Sequence, residues 1–252
     1  MKGVILAGGT GSRLLPLTKV TNKHLLPVYN RPMIYYPLEC MASAGIEEVL
    51  LVTGGNNAGD FIRLLGNGRE FGFKELNYTY QDGAGGIAQA LGLAEHFAEG
   101  ESICLILGDN IVEYSIRAVC ESFKRQGTGA KILLTAVENP QAYGIAELDG
   151  QRVVRIIEKP QKPASNWAVI GIYFYDGKVF DIVKTLKPSA RNELEITDVN
   201  NAYIQRGEMT ADKLSGWWAD AGENIDFYLR ACNTVAASGA NKPLGNAGAS
   251  AR

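Results

Sequence analysis

The sequence contains few of the residues that zinc-dependent and covalent catalysts need. It has two histidines, His24 and His96, and no Gly-x-Ser-x-Gly segment, so a zinc site or a Ser-His-Asp triad is hard to assemble. Its four cysteines are widely spaced and form no Cys-x-x-Cys pair. They are interpreted as small buried hydrophobic residues of a protein in a reducing cytoplasm.

A basic block and a long apolar run are also missing. With 25 Lys and Arg against 27 Asp and Glu, the net charge is −2, which disfavours nucleic acid as the main partner. No apolar run approaches the ~20 residues of a membrane span, and residues 1–6 lack the features of a signal peptide. We therefore expect no membrane partner. Any phosphate site must be built locally, from backbone N–H groups and a few cationic side chains.

Short apolar runs that alternate with helical patterns predict the fold. In the first half, the predicted strands are 3–6, 48–53, 77–80, 103–107 and 131–135, and the predicted helices are 33–44, 59–65, 87–97 and 115–126. After residue 140, the predicted strands are 144–148, 152–157, 169–175 and 209–214, and the predicted helices are 178–186, 195–206 and 223–237. Nearly continuous apolar strands between helices indicate an α/β protein with three α/β/α layers. Its central sheet is expected to be mixed, mostly parallel and Rossmann-like.

The most informative segment follows the first predicted strand. It reads Leu6-Ala7-Gly8-Gly9-Thr10-Gly11-Ser12-Arg13-Leu14. In open α/β sheets, ligands bind outside the carboxyl ends of the strands, and glycines let backbone N–H groups approach a phosphate closely. Leu14 stands where a dinucleotide-binding fingerprint needs glycine, and Arg13-Leu14 stands where a Walker A loop needs Gly-Lys. The segment therefore indicates a phosphate-binding loop of another kind.

Together with Pro16 and Thr18, this segment resembles the signature loop of the sugar nucleotidyltransferases. The resemblance covers roughly residues 1–237 and is greatest to the members that use dTTP and glucose 1-phosphate. It implies one nucleotidyltransferase domain, with a nucleotide-binding part at about 1–137 and a sugar-phosphate-binding part at about 138–237. It also implies a nucleoside triphosphate and a sugar 1-phosphate as partners, Mg²⁺ as cofactor, and a homo-oligomer, either a dimer or a tetramer. The Ala-, Gly- and Asn-rich segment 238–252 is expected to be a disordered tail.

The functional residues of the family carry over to matching positions in this sequence. The resemblance implies three catalytic residues, Arg13, Lys23 and Asp109, and a nucleotide site formed by Leu6, Gly8, Gly9, Thr10, Gly11, Gln81 and Gly86. It assigns Mg²⁺ to Asp109 and Asp220. For the sugar phosphate it implies Tyr143, Gly144, Glu158, Lys159, Val169 and Arg191. The residue types suit these roles, because a hard carboxylate beside a triphosphate suits Mg²⁺, and the Gln81 amide can both donate to and accept from a pyrimidine edge.

Two departures from the family's pattern bear on specificity. Thymidylyltransferases of the family commonly have Asp-Gly-Leu-Ala-Gln where this chain has Gly85-Gly86-Ile87-Ala88-Gln89, which leaves both thymine and uracil open. His24 replaces the usual glutamine after the lysine. Because imidazole changes charge near neutrality, we expect substrate affinity to vary with pH more than is usual in the family.

The expected reaction is in-line attack of a sugar-phosphate oxygen on the α-phosphorus of the triphosphate. It needs positioning and charge neutralisation but no general base. The alternatives are a uridylyltransferase that makes UDP-glucose, a metal-dependent glycosyltransferase, and a non-catalytic nucleotide-sugar-binding protein. A glycosyltransferase is expected to pair carboxylates as Asp-x-Asp, and no such triplet stands near Asp109.

Overall fold

The structure of the protein, a computed structural model, describes residues 1–244. Its strands are β1 (Lys2–Ala7), β2 (Pro27–Val28), β3 (Arg31–Pro32), β4 (Glu48–Gly54), β5 (Glu75–Gln81), β6 (Ile103–Leu107), β7 (Asn110–Val112), β8 (Ala130–Ala136), β9 (Gly144–Asp149), β10 (Arg152–Glu158), β11 (Trp167–Tyr175), β12 (Met209–Lys213) and β13 (Trp218–Asp220). Its helices are α1 (Tyr35–Ser43), α2 (Ala58–Leu65), α3 (Ile87–Gly92), α4 (Glu95–Ala98), α5 (Arg117–Gln126), α6 (Val179–Thr185), α7 (Ile196–Gln205) and α8 (Ile225–Ser238).

A nine-stranded mixed sheet forms the centre of the molecule. Its strands follow the order β10-β9-β11-β6-β1-β4-β5, and β8 pairs with β11 and β12 beside this path. Strand β11 is antiparallel to β6, β8 and β9, and β10 is antiparallel to β9. The remaining pairings of the sheet are parallel. Only β10 and β11 therefore run against the other strands of this sheet, and the expected mixed, mostly parallel sheet is confirmed.

Alternate residues of the central strands face two different layers of the core. In β1, Val4 and Leu6 pack in one hydrophobic cluster with residues of α3, α6 and α7. Ile5 and Ala7 pack in a second cluster with residues of α1, α2 and α5. A strand that is buried on both faces needs apolar side chains at odd and even positions alike, because successive side chains point to opposite faces. This is why β1 contains a continuous apolar run. The expected three-layer α/β/α architecture is confirmed.

The parallel strands β1, β4, β5 and β6 end at the same edge of the sheet. Their pairing places Leu6 opposite Leu107 and Gly54 opposite Gln81. The loops that follow these strands touch one another, since a Cβ on Gly54 would lie 3.4 Å from the Cα of Gly8. This edge therefore gathers the glycine loop, Gln81 and the turn after β6, as expected for an open α/β sheet.

Two short ribbons lie outside the central sheet and were not predicted from the sequence. Strand β13 pairs antiparallel with β7, with Asp220 opposite Asn110, and β2 pairs antiparallel with β3. Strands of two or three residues are too short to show an alternating pattern. The predicted helix 87–97 is also divided, because α3 ends at Gly92 and α4 begins at Glu95. Glycine is a poor residue for a helix interior.

The segment after α8 packs against β7 and the residue that follows it. The Asn241 N–H donates to the Val112 carbonyl at 3.0 Å, and the Lys242 N–H donates to the Glu113 carbonyl at 2.8 Å. The Lys242 ammonium also pairs with the Glu113 carboxylate at 2.7 Å. The first part of the expected disordered tail is thus bound to the domain, and residues 245–252 lie outside the described residues. Within 1–244, no helix is long and apolar enough to cross a membrane.

Candidate active site

A cavity of about 550 Å³ opens at the carboxyl edge of the sheet. Every predicted site residue lines it except Thr10 and Gly11. The Gly11 carbonyl accepts from the Thr18 hydroxyl at 2.7 Å. The fold therefore brings into one cavity residues from both halves of the chain.

The glycine loop follows a course that favours glycine at each of three positions. Gly9 and Gly11 have φ values of 96° and 63°, in the left-handed region that residues with a Cβ rarely adopt. Gly8 lies against Gln81, because a Cβ there would lie 3.0 Å from Gln81 Oε1. The loop then enters the 3₁₀ turn Ser12–Leu14, which places Arg13 in the cavity lining.

Lys23 and Asp109 form a buried ion pair in the cavity. The Lys23 Nζ contacts Oδ2 of Asp109, and the two side chains are only 12% and 9% exposed. Asn22 caps the 3₁₀ turn that carries Lys23. Burial alone would raise the pKa of Asp109, but the charge of Lys23 and hydrogen bonds from Lys23 and Asn110 outweigh it and hold that pKa well below its usual value. Asp109 is therefore an anion at neutral pH.

Asp220 reaches the same place through the pairing of β13 with β7. The Ala221 N–H donates to the Asp109 carbonyl at 2.9 Å, and a Cβ on Gly222 would overlap the Asp109 carboxylate. Burial, and after it the negative charge of Asp109, raises the pKa of Asp220 to about 7. A cation shared by the two carboxylates would relieve this repulsion.

The donor set of Asp109 and Asp220 fits Mg²⁺. Both residues offer hard carboxylate oxygens, and Mg²⁺ is usually held by one or two protein carboxylates while phosphates and water fill the rest of its shell. Among residues 1–244, no group of three or more His, Cys, Asp or Glu side chains could hold a metal ion. A metal bound here would therefore depend on substrate phosphate and water for its other ligands.

Asn110 connects three parts of the site, although its role was not predicted from the sequence. Its Nδ2 donates to Asp109 Oδ1 at 3.0 Å. Its Oδ1 accepts from the Gly171 N–H at 2.9 Å and from the Trp218 indole N–H at 2.7 Å. Asn110 is 4% exposed, so these bonds are shielded from water. The only sequence signal for this role is its position directly after Asp109.

A second unpredicted residue is Glu223, which pairs with Arg13. The guanidinium NH1 contacts Oε2 of Glu223, and the side chains are 49% and 19% exposed. Both residues line the cavity. The glycine loop is thus tied to the start of the α8 segment by an ion pair.

The loop 85–88, which contains the predicted base contact Gly86, is fixed against the segment that precedes α7. The Leu194 N–H donates to the Gly85 carbonyl at 2.8 Å, and the Ala88 N–H donates to the Leu194 carbonyl at 3.0 Å. Gly86 has a φ of 94°, and a Cβ there would overlap the Leu194 backbone. Glycine at 86 is therefore required by both conformation and space.

The predicted sugar residues line the same cavity. Glu158 Oε2 accepts from the Thr197 hydroxyl at 2.7 Å, and a Cβ on Gly144 would lie 3.3 Å from the same oxygen. The Lys159 N–H donates to the Tyr143 carbonyl at 3.1 Å. These contacts fix the strand ends that carry Glu158 and Lys159.

Arg191 is surrounded by carboxylates. Its guanidinium pairs with Glu195 at 2.8 Å and lies 3.6 Å from both Glu158 and Glu193. The charge of the guanidinium is thus balanced by neighbouring protein carboxylates.

Comparison with known families gives a match to the nucleotidyl transferase family over residues 2–237. The chain belongs to this family. It is 44% identical over 232 residues to glucose-1-phosphate thymidylyltransferase of Neisseria meningitidis, covering 90% of this chain and 80% of that protein.

Two solved structures of nucleotidyl transferase type resemble the fold. A Bacillus anthracis protein, provisionally assigned as a glucose-1-phosphate thymidylyltransferase and crystallised with sucrose, superposes with a TM-score of 0.88. It is 51% identical, with 92% of this chain and 94% of that chain covered. A UDP-glucose pyrophosphorylase in complex with UDP-glucose superposes with a TM-score of 0.81 at 25% identity, with 94% and 98% covered.

The charge state of His24 differs from the sequence-based expectation. The residue is 2% exposed, and burial, followed by the charge of Lys23, lowers its pKa to about 3. Its Nδ1 lies 2.7 Å from Asn22 Oδ1. The imidazole is therefore neutral throughout the physiological range. The expectation that its charge changes near neutrality is wrong, and a pH dependence of substrate affinity cannot come from this imidazole.

Proposed function

We propose that the protein transfers a thymidylyl group from dTTP to glucose 1-phosphate and releases pyrophosphate. One observation carries this proposal. A single cavity holds the glycine loop with Arg13, the Lys23–Asp109–Asp220 cluster and the Glu158 end. These are the groups needed for a triphosphate, a hard cation and sugar hydroxyls.

The identity of the substrates is supported by the relatives rather than by the cavity alone. The Neisseria meningitidis relative is named glucose-1-phosphate thymidylyltransferase, and the Bacillus anthracis structure carries the same provisional assignment. A uridylyltransferase is the second candidate, because the UDP-glucose pyrophosphorylase shares the fold and thymine and uracil present the same O4 and N3–H edge to Gln81.

The proposed mechanism is an in-line displacement at the α-phosphorus. An oxygen of the sugar phosphate forms the new P–O bond, the bond to the pyrophosphate breaks, and the negative charge leaves on pyrophosphate. The attacking oxygen is already an anion, so the residues need to position the reactants and neutralise charge rather than remove a proton. We assign the triphosphate to Arg13 and Lys23, and the sugar phosphate to Lys159.

The remaining residues orient the two substrates. Glu158 would accept from hexose hydroxyls, with one carboxylate oxygen already fixed by Thr197 at 2.7 Å. Asp109 and Asp220 would hold Mg²⁺, which would supply additional neutralisation of the triphosphate charge. Asn110 keeps the Asp109 carboxylate oriented toward Lys23.

The test is a pyrophosphate-release assay with dTTP, UTP, CTP and ATP, each with several sugar 1-phosphates. We expect the highest kcat/KM with dTTP and glucose 1-phosphate. An Asp109→Asn preparation made in parallel controls for a contaminating enzyme. A preference for UTP would replace the thymidylyl assignment by a uridylyl one. Absence of pyrophosphate release with every pair would refute nucleotidyl transfer and favour a glycosyltransferase or a nucleotide-sugar-binding protein.

Two structural expectations accompany this function. We propose one domain over residues 1–237, since both core clusters combine residues from before and after position 137. We also propose a homo-oligomer, either a dimer or a tetramer. Light scattering of the purified chain checks the oligomeric state, and limited proteolysis near residue 137 checks the domain.

A further inference from the structure

The Gln81 amide has both of its N–H groups occupied by protein acceptors. Gln81 ends β5 and is 7% exposed. Its Nε2 donates to the Gly86 carbonyl at 3.1 Å and to Gln89 Oε1 at 2.8 Å. A side-chain amide nitrogen carries two hydrogens, so no N–H of this amide is left for a ligand.

The orientation of the amide follows from the chemistry of its partners. A backbone carbonyl can only accept, so the nitrogen of Gln81, and not its oxygen, must face Gly86. The oxygen then points away from that loop. It lies beside the glycine loop, 3.0 Å from where a Cβ on Gly8 would stand. Gln81 therefore presents an acceptor alone to the nucleotide end of the cavity.

Gln89 reaches Gln81 because residue 85 has no side chain. A Cβ on Gly85 would overlap the amide group of Gln89. Gln89 lies in α3 and does not line the cavity. It acts on the cavity through the Gln81 amide that it contacts.

We propose that Gln89 is a positioning residue for base selection. By accepting the second N–H of Gln81, it keeps the Gln81 oxygen turned toward the base, and this oxygen demands a donor on the base. Thymine and uracil have that donor at N3–H. N3 of cytosine is an acceptor, so its lone pair would face the lone pair of the Gln81 oxygen and the two would repel each other. Gly85 supplies the space for this arrangement. The inference rests on the proposed function and extends it to the exclusion of cytidine triphosphate.

The test compares kcat/KM for dTTP and CTP in four variants. Gln89→Leu removes the acceptor, frees one N–H of Gln81 and lets the amide turn, so the dTTP:CTP ratio should fall about three- to ten-fold, the effect of one net hydrogen bond. Gln89→Glu keeps an acceptor oxygen and should retain the wild-type ratio. Gly85→Ala should reproduce the Gln89→Leu effect by displacing the Gln89 amide. Gly59→Ala is the matched control, because a Cβ there meets nothing within 4 Å.

The outcomes separate this inference from the proposed function. The KM for glucose 1-phosphate should stay unchanged in all four variants. An unchanged dTTP:CTP ratio in Gln89→Leu, or the same loss in Gln89→Glu, would refute the positioning role while leaving the transferase activity intact. If wild type releases no pyrophosphate, the proposed function fails. In that case, calorimetry measures the binding of dTTP and CTP to wild type and to Gln89→Leu. A fall of the dTTP:CTP affinity ratio by the same factor supports the positioning role, and an unchanged ratio refutes it.

Discussion

Replacing Asp109 by asparagine is expected to lower turnover by about 10²–10³-fold while the protein stays folded. Asparagine keeps the shape and can still accept from Asn110 Nδ2, which lies 3.0 Å from Oδ1 in the wild type. It loses the negative charge that faces Lys23 and that would hold Mg²⁺. Loss of one preorganised electrostatic contact raises a barrier by about 3–4 kcal/mol, which corresponds to that change in rate.

Asp220→Asn should give a loss of the same kind, because both carboxylates are expected to hold one ion. Their backbones are joined by the Ala221 N–H to Asp109 carbonyl bond at 2.9 Å. When one carboxylate ligand of the metal has already been removed, removing the second should lower turnover only slightly further. The double variant should therefore lose much less than the product of the two single losses. Added Mg²⁺ should restore part of the activity of each single variant, and Mn²⁺ serves as a second probe of the same site.

The assay is pyrophosphate release against Mg²⁺ concentration for wild type, both single variants and the double. Urea unfolding in EDTA provides the control for folding. Asp109→Asn should be the less stable single variant, because it leaves the Lys23 ammonium buried without its partner, and breaking a buried pair costs about 3–5 kcal/mol. Multiplicative losses in the double variant, or full wild-type activity in EDTA, would refute a shared metal.

Three further predictions concern the base contact, the two phosphate-binding lysines and the buried histidine. Gln81→Ala should lower the dTTP:ATP ratio of kcat/KM roughly ten-fold, because an unpaired polar base edge costs about 1–3 kcal/mol while the phosphate contacts remain; an unchanged ratio would remove Gln81 from the base site. Lys159→Ala should raise the KM for sugar 1-phosphate, and Lys23→Ala should raise the KM for the triphosphate. Lys162→Ala, at an exposed lysine, is the control. If both variants changed the KM of the same substrate, this assignment of the two lysines would be wrong. Between pH 7 and pH 5, His24→Gln should lose about 2 kcal/mol less unfolding free energy than wild type. In that window only the unfolded imidazole, with its ordinary pKa of 6.5, takes up a proton, because the folded pKa is about 3. Urea unfolding at both pH values measures this, and equal losses would contradict the burial of a neutral His24.

Those parts of the site that depend on local pattern could be predicted from the sequence. Continuous apolar runs such as Ile103–Leu107 identify strands buried on both faces, and such strands end at a common edge. The glycine loop follows the first of these strands, and Asp109 follows the run that ends at Leu107. Their meeting in one cavity was therefore predictable. The expected roles of Glu158, Lys159 and Arg191 rest on resemblance to a family, because a charged pair at a strand end has no distinctive pattern of its own.

The tertiary structure alone decided which distant groups meet and which are shielded from water. Asp220 joins Asp109 through a ribbon of three-residue strands, too short to leave a periodic signal. Glu223 pairs with Arg13, and Gln89 turns back onto Gln81 because Gly85 leaves the space. Local sequence also could not give the charge state of His24. An isolated imidazole titrates near neutrality, and only the packing of surrounding elements removes the water that would stabilise its cation.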